Sequence, residues 1–362
     1  MEEMVNLSFY RGKKVFITGH TGFKGSWLSK ILIMSGAKVF GYSLEPSTNP
    51  NLFNLIGLEK QINSYIGDIR DLASLTKAIE IAQPEIVFHL AAQPIVRESY
   101  VHPVDTYSTN VMGTVNILEA CRTVKSVKSI INVTTDKVYE NKEWSWGYRE
   151  NENLCGYDPY SNSKSCSELV TFSYKNSFFN GDSSPSISTA RSGNVIGGGD
   201  FSADRIIPDC VRATIKGDKI IVRNPYSTRP YQHVLECLRG YLTLAIKQYD
   251  KNIEGNYNFG PNECDCVTTG QIVELFCENW QGAKWIECYD GGPHEANFLK
   301  LDCSKAKDKL RWYPKWNVID AVNNTVKWYE VYSKNGDLIA ITEKQIKEYF
   351  NIWIKRRINN KF

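Results

Sequence analysis

Short apolar runs alternate with helical patterns through the first half of the chain. KVFIT at 14–18 reads as a strand, GHTGFKG follows at 19–25, and Trp27, Leu28, Ile31 and Leu32 then recur as on one face of a helix. A second run at 37–42 and further runs at 62–66, 85–90, 128–134 and 186–190 lie between helical stretches. This alternation predicts an α/β fold, a doubly wound parallel sheet of Rossmann type, with its ligand at the carboxyl ends of the strands.

After GNVIGGGDF at 193–201 the rhythm breaks into short segments with turn residues, among them RNPYSTRP at 223–230. A smaller C-terminal α/β lobe is expected from about here. NYNFGPNE at 256–263 reads as one more strand and loop returning to the first domain. The expected division is 1–195 with a return segment at 229–262 for the first domain, and 196–228 with 263–362 for the second lobe. The last hundred residues are mainly helical and aromatic, and Lys355, Arg356 and Arg357 read as a solvated helix terminus.

The glycine turn carries the first chemistry. Gly19 permits a tight turn, Gly22 lets backbone amides approach a pyrophosphate, and Gly25 allows close packing of helix on strand. The helix that follows offers its positive end to the phosphates. Between a strand and a helix near the N-terminus, this spacing points to a dinucleotide site. Asp68, after the third run, is placed to accept from an adenine amino group, and Ala91 and Ala92 in HLAAQP leave room for a cofactor. The second strand ends in GYSLEP, so Ser43 stands where a ribose-binding carboxylate is expected, with Glu45 two positions on. No arginine follows there to hold a 2′-phosphate, which favours NAD.

GYDPYSNSK at 156–164 carries the second. Tyr160 and Lys164 are four residues apart and share a helical face, where the ammonium together with a positive nicotinamide ring stabilises a phenolate and lets Tyr160 work as a base near neutrality. In TTDK at 134–137, Thr135 ends a strand and is placed to hydrogen-bond the same substrate hydroxyl.

Composition narrows the partners. Lysine and arginine total 43 against 40 acidic residues, a net charge of +3, which gives no reason to expect a nucleic acid or a membrane surface. No apolar run approaches the roughly 20 residues of a bilayer span. Ten scattered cysteines without scaffold spacing, and no apolar signal segment before Tyr10, predict a reducing cytoplasm. Cys264 and Cys266 lack a second close Cys/His pair, so no metal is expected.

Together GHTGFKG, Asp68, HLAAQP, Asn110, TTDK, YSNSK and RSGNVIGGGD resemble the extended short-chain dehydrogenase/reductases across nearly the whole chain. Within them, TTDKVYENKEWSWGYRENE and RNPYSTRPYQHVLE are similar to the CDP-glucose 4,6-dehydratases. The resemblance implies an internal redox cycle on CDP-glucose: NAD oxidises C4, the C5 proton is removed, the C6 hydroxyl leaves as water, and the hydride returns to C6. It implies Asp136 as the acid for the departing hydroxyl and Lys137 where related dTDP-glucose dehydratases carry a glutamate base. Lys137 serves as base only if burial beside cations yields a neutral amine; the alternative is that it merely orients Asp136 or the C6 oxygen.

The resemblance also adds Thr21, Phe23, Ile69 and Thr109 to the cofactor site. It assigns Arg229 to the substrate diphosphate, with Asn194 and Arg205 as further contacts. Trp144, Trp146 and Tyr148 either line the sugar site or pack beneath it. A homodimer or larger homo-oligomer is implied, through a four-helix interface built from NVMGTVNILEA and YSNSKSCSELV. An epimerase or reductase acting on another nucleotide sugar has no use for an acid at Asp136. A non-catalytic dinucleotide sensor has no use for Thr135, Tyr160 and Lys164 together.

Overall fold

The computed structural model describes residues 5–250, 253–288 and 298–351. The Lys355, Arg356, Arg357 cluster lies outside them. The strands of the main sheet are β1 (Lys14–Thr18), β2 (Lys38–Ser43), β3 (Asn63–Ile66), β4 (Ile86–His89), β5 (Ser129–Val133), β6 (Ser186–Ser192) and β7 (Asn256–Phe259). They pair in the order β7-β6-β5-β4-β1-β2-β3, every pair parallel. The order reverses at β1, and β1 and β4 flank the crevice where such sheets bind ligands.

Side-chain alternation explains the two covered faces. Val15 and Ile17 of β1, Ile86 and Phe88 of β4, and Ile131 and Val133 of β5 join one buried cluster. Phe16, Val87 and Ile130, the intervening residues, join another. A period of two with both sides apolar is what a strand between two helical layers requires. Helix α1 (Phe23–Met34) brings Trp27, Leu28, Ile31 and Leu32 to the first cluster. Helices α2 (Leu72–Ala82) and α3 (Gly113–Arg122) bring Leu75, Ile79, Ile117 and Leu118 to the second.

Helix α4 (Pro159–Phe178) follows β5. Asp158 caps it: one carboxylate oxygen accepts from the Ser161 N–H at 2.9 Å and the other from its hydroxyl at 2.6 Å. With Pro159 at the first helical position, DPYS fixes the start of the helix, a cap worth about 1 kcal/mol. Tyr160 therefore sits in the first turn, at the carboxyl edge of the sheet.

The C-terminal part has helices α5 (Ile206–Lys216), α6 (Val234–Tyr249), α7 (Thr269–Asn279), α8 (Val318–Ser333) and α9 (Leu338–Phe350). Short strand pairs join them: 195–196 with 232–233, 228–229 with 267–268, and 220–222 with 285–287. None of the described helices is long and apolar enough to cross a membrane.

Candidate functional site

A cleft of about 1420 Å³ opens at the carboxyl ends of the strands. The glycine turn forms one wall. At Gly19, φ is +77°, and a Cβ there would stand 2.8 Å from the Ala91 nitrogen; a Cβ at Gly25 would stand 2.1 Å from the Gly19 oxygen. Both positions must therefore stay bare. Helix α1 begins at Gly22 with no side-chain cap, and its first turn, whose N–H groups have no partner within the helix, lines the cleft through Phe23, Lys24 and Gly25. This wall fits the pyrophosphate of a dinucleotide.

Of the cofactor residues expected from sequence, Gly19, Gly22, Phe23, Gly25, Ser43, Asp68, Ile69, Ala91, Ala92 and Thr109 all line this cleft. Thr21 does not. It is buried behind the wall, its hydroxyl 2.8 Å from the Ser43 hydroxyl and 2.9 Å from the Leu44 carbonyl oxygen, so it ties the turn to the end of β2. Glu45 is exposed and outside the cleft lining, which removes it as a substitute for the ribose carboxylate. Arg70 also reaches the cleft, but its guanidinium is bound to Asp68 at 2.7 Å and Asp105 at 3.1 Å. The hydrogen bonds from Arg70 hold the Asp68 carboxyl below the usual range, and the two carboxylates together neutralise Arg70 as an anion site.

Thr135, Asp136, Lys137, Tyr160 and Lys164 meet at the inner part of the same cleft. Thr135 caps a short turn over Asp136–Val138 and donates to an Asp136 carboxylate oxygen at 3.0 Å. The other Asp136 oxygen is buried with no hydrogen-bond partner. Burial raises the Asp136 pKa against the opposing pull of Lys137, Arg229 and Lys24, which favours the protonated acid.

The Lys164 ammonium donates to the Val133 carbonyl at 3.2 Å, and burial together with Lys24 brings its pKa down to about 8. Tyr160 is 8% exposed, and burial pushes its phenol up to about 12, opposed by a hydrogen bond with Thr135. Burial thus works against the phenolate, in the direction opposite to that of a positive charge beside it. Lys137 is only partly buried.

Arg229, Asn194 and Arg205 also line the cleft. Arg229 is buried and donates to the Thr228 carbonyl at 3.1 Å, whereas Arg205 pairs with the buried Asp200 at 3.1 Å. Trp144, Trp146 and Tyr148 are not in the lining. Tyr148 stacks between Tyr139 and Trp144, so Trp144 and Tyr148 pack beneath the loop, while Trp146 is exposed to solvent.

Lys24 was not singled out by sequence reasoning, because inside a glycine motif it reads as a spacer. Its Nζ donates to the Ser192 hydroxyl at 3.1 Å, and burial lowers its pKa. It adds a cation to those around Asp136. Among the described residues no cluster of His, Cys, Asp and Glu could hold a metal ion, and all ten cysteines are free thiols.

Residues 16–325 match the protein family described as GDP-mannose 4,6 dehydratase. A CDP-glucose 4,6-dehydratase of Salmonella typhimurium is 47% identical over 355 residues, 96% of this chain and 99% of that relative. The chain belongs to the nucleotide-sugar 4,6-dehydratases. A dTDP-glucose 4,6-dehydratase of Xanthomonas campestris is 25% identical over 86% of this chain and 92% of its own length. Among solved structures, the dTDP-glucose 4,6-dehydratase of Bacillus anthracis in complex with NAD superposes with a TM-score of 0.72 at 22% identity, covering 90% of this chain and 99% of that one. The UDP-glucuronic acid 4-epimerase of Bacillus cereus gives 0.75 at 22% identity, over 88% and 99%. Both share the fold.

Proposed function

We propose that this dehydratase converts CDP-glucose to CDP-4-keto-6-deoxyglucose and water with NAD as its resident cofactor. The observation that carries the reading is the 47% identity over nearly the whole of both chains. The bare glycine wall and the cleft lining from Gly19 to Thr109 would hold the cofactor. When bound, NAD would supply the acceptor for the hydride from C4, the donor for its return to C6, and a positive charge in the cleft.

Tyr160 takes the proton of the C4 hydroxyl, oriented by Thr135, and Lys164 stabilises the phenolate. Asp136, whose pKa burial raises, gives its proton to the C6 oxygen as water departs. Lys137, on the next residue of the same turn, faces the cleft as the C5 base or as the group that orients the C6 oxygen. Arg229, with Asn194 and Arg205, holds the diphosphate. Residues 1–195 and 229–262 form the cofactor domain, and 196–228 and 263–362 the nucleotide-sugar lobe.

A panel of CDP-, dTDP-, GDP- and UDP-hexoses tests the reading: 4-keto-6-deoxy product should form chiefly from CDP-glucose, and equal turnover of the others would refute the assignment of the base. In calorimetry NAD should bind more tightly than NADP, because Arg70 is already committed to two carboxylates.

The assembly is a homodimer or larger homo-oligomer through the face of α3 and α4. Leu169 and Phe172 on α4 are 55% and 68% exposed, and Met112, just before α3, is 50% exposed, apolar surface of the kind an interface uses. Phe172→Asp should sediment as monomer where the parent sediments as dimer; an unchanged parent-like species would exclude this face.

A further inference from the structure

Beneath the catalytic residues lies a buried ion pair that the mechanism does not use. Glu168 follows Lys164 by one turn on the same face of α4, and its side chain is 1% exposed. One carboxylate oxygen accepts from the Thr134 hydroxyl at 2.5 Å and from Arg191 Nε at 2.8 Å. The other accepts from the Thr189 hydroxyl at 2.7 Å and from Arg191 Nη2 at 2.9 Å. Four hydrogen bonds from β6 and the end of β5 therefore converge on one helix residue. Arg191 also donates to the Tyr139 hydroxyl at 2.8 Å, and Tyr139 in turn to Asn258 of β7 at 2.7 Å.

The arrangement is asymmetric in a way that matters for chemistry. Thr134 immediately precedes Thr135 and Asp136, while Lys164 grips the Val133 carbonyl one residue earlier. Two successive residues at the end of β5 are thus fastened to two successive turns of α4, the helix that carries Tyr160. Thr189, by contrast, lies within β6, paired with Asn132 of β5, and is not part of the TTDK segment.

We propose that Glu168 is a positioning residue: through Thr134 it sets the distance between the loop bearing Thr135 and Asp136 and the helix bearing Tyr160 and Lys164. The inference rests on the reading of Tyr160 and Lys164 as the redox pair. An error of an ångström between those groups is enough to slow hydride transfer by about a hundredfold, so loss of one such bond is expected to cost about tenfold.

The test uses the NAD-loaded enzyme and three variants. Thr134→Val keeps the side chain's shape and removes its hydroxyl; Thr134→Ser restores the hydroxyl; Thr189→Val removes a hydrogen bond that β6 makes to the other oxygen of the same carboxylate. Each is measured for melting temperature, bound NAD, KM for CDP-glucose and the single-turnover rate of nicotinamide reduction. Thr134→Val should retain bound NAD and KM but reduce nicotinamide about tenfold more slowly. Thr134→Ser should return to within about twofold of the parent, and Thr189→Val should melt lower yet stay within about threefold.

A parental rate in Thr134→Val, or an equal loss in Thr189→Val, would overturn the positioning role, the second because it would report general loosening of the core. Should Thr134→Val not fold, equal rates in Thr134→Ser, Thr189→Val and parent support the proposal, and a Thr189→Val loss overturns it. Parental nicotinamide reduction by Tyr160→Phe would instead overturn the redox-pair reading beneath it.

Discussion

Tyr160→Phe is expected to fold, bind NAD and lose at least about a hundredfold in turnover, the low end for a positioned acid/base group. The ring remains to fill its nearly buried position at the start of α4, so a loss in rate without a loss in melting temperature isolates the hydroxyl. Burial holds that hydroxyl's pKa up to about 12 in the protein alone, so its work as a base depends on positive charge gathered around it. Lys164→Ala removes one such charge and should be similarly impaired. Near-parental turnover in Tyr160→Phe would remove the phenol from the mechanism.

Asp136→Asn should oxidise C4 and then stop. An amide cannot replace a carboxylic acid as proton donor, so reduced nicotinamide should accumulate beside a hexose that retains its C6 oxygen. Stability supplies a second readout. The Asp136 pKa is raised on folding, chiefly by burial, so above that raised value the folded state carries an ionised, buried carboxylate that the unfolded chain hydrates. Its folded state therefore loses stability as pH rises through the raised pKa, and both states are neutral below the ordinary value of 3.8. Asp136→Asn should accordingly melt no lower than the parent at neutral pH, with the difference vanishing in acid. A variant that eliminates water at the parental rate would exclude Asp136 as the acid.

The sheet was legible because its strands are buried on both faces: KVFIT and its counterparts are short apolar runs separated by helical periods, and β7 was recognisable as a return strand from NYNF. Tyr160 and Lys164 were legible because their relation is local, four residues on one helix whose start is written in DPYS. Features that need three chain segments to meet were not. Glu168, Arg191 and Thr134 are far apart in sequence, and a glutamate one turn beyond a catalytic lysine reads as an ordinary helix residue. Lys24 was hidden inside the glycine motif.

Errors ran the same way. Glu45 lies near the ribose position in sequence, yet the chain after β2 turns it to solvent, while Thr21 braces the turn from behind. Of the two alternatives open for Trp144 and Tyr148, lining the sugar site or packing beneath it, the structure shows packing, with Tyr148 stacked between Trp144 and Tyr139.

The central claim is that one hydride leaves C4 and returns to C6 of the same sugar within a cycle run by Tyr160, Lys164 and Asp136. Turnover of CDP-glucose deuterated at C4, with the position of the label in the product read by NMR and mass spectrometry, tests it most directly. The account predicts deuterium at C6 of the 4-keto-6-deoxy product, with none in solvent or in added free NAD. Deuterium released to either, or a product that keeps its C6 oxygen, would contradict it and leave an ordinary oxidoreductase.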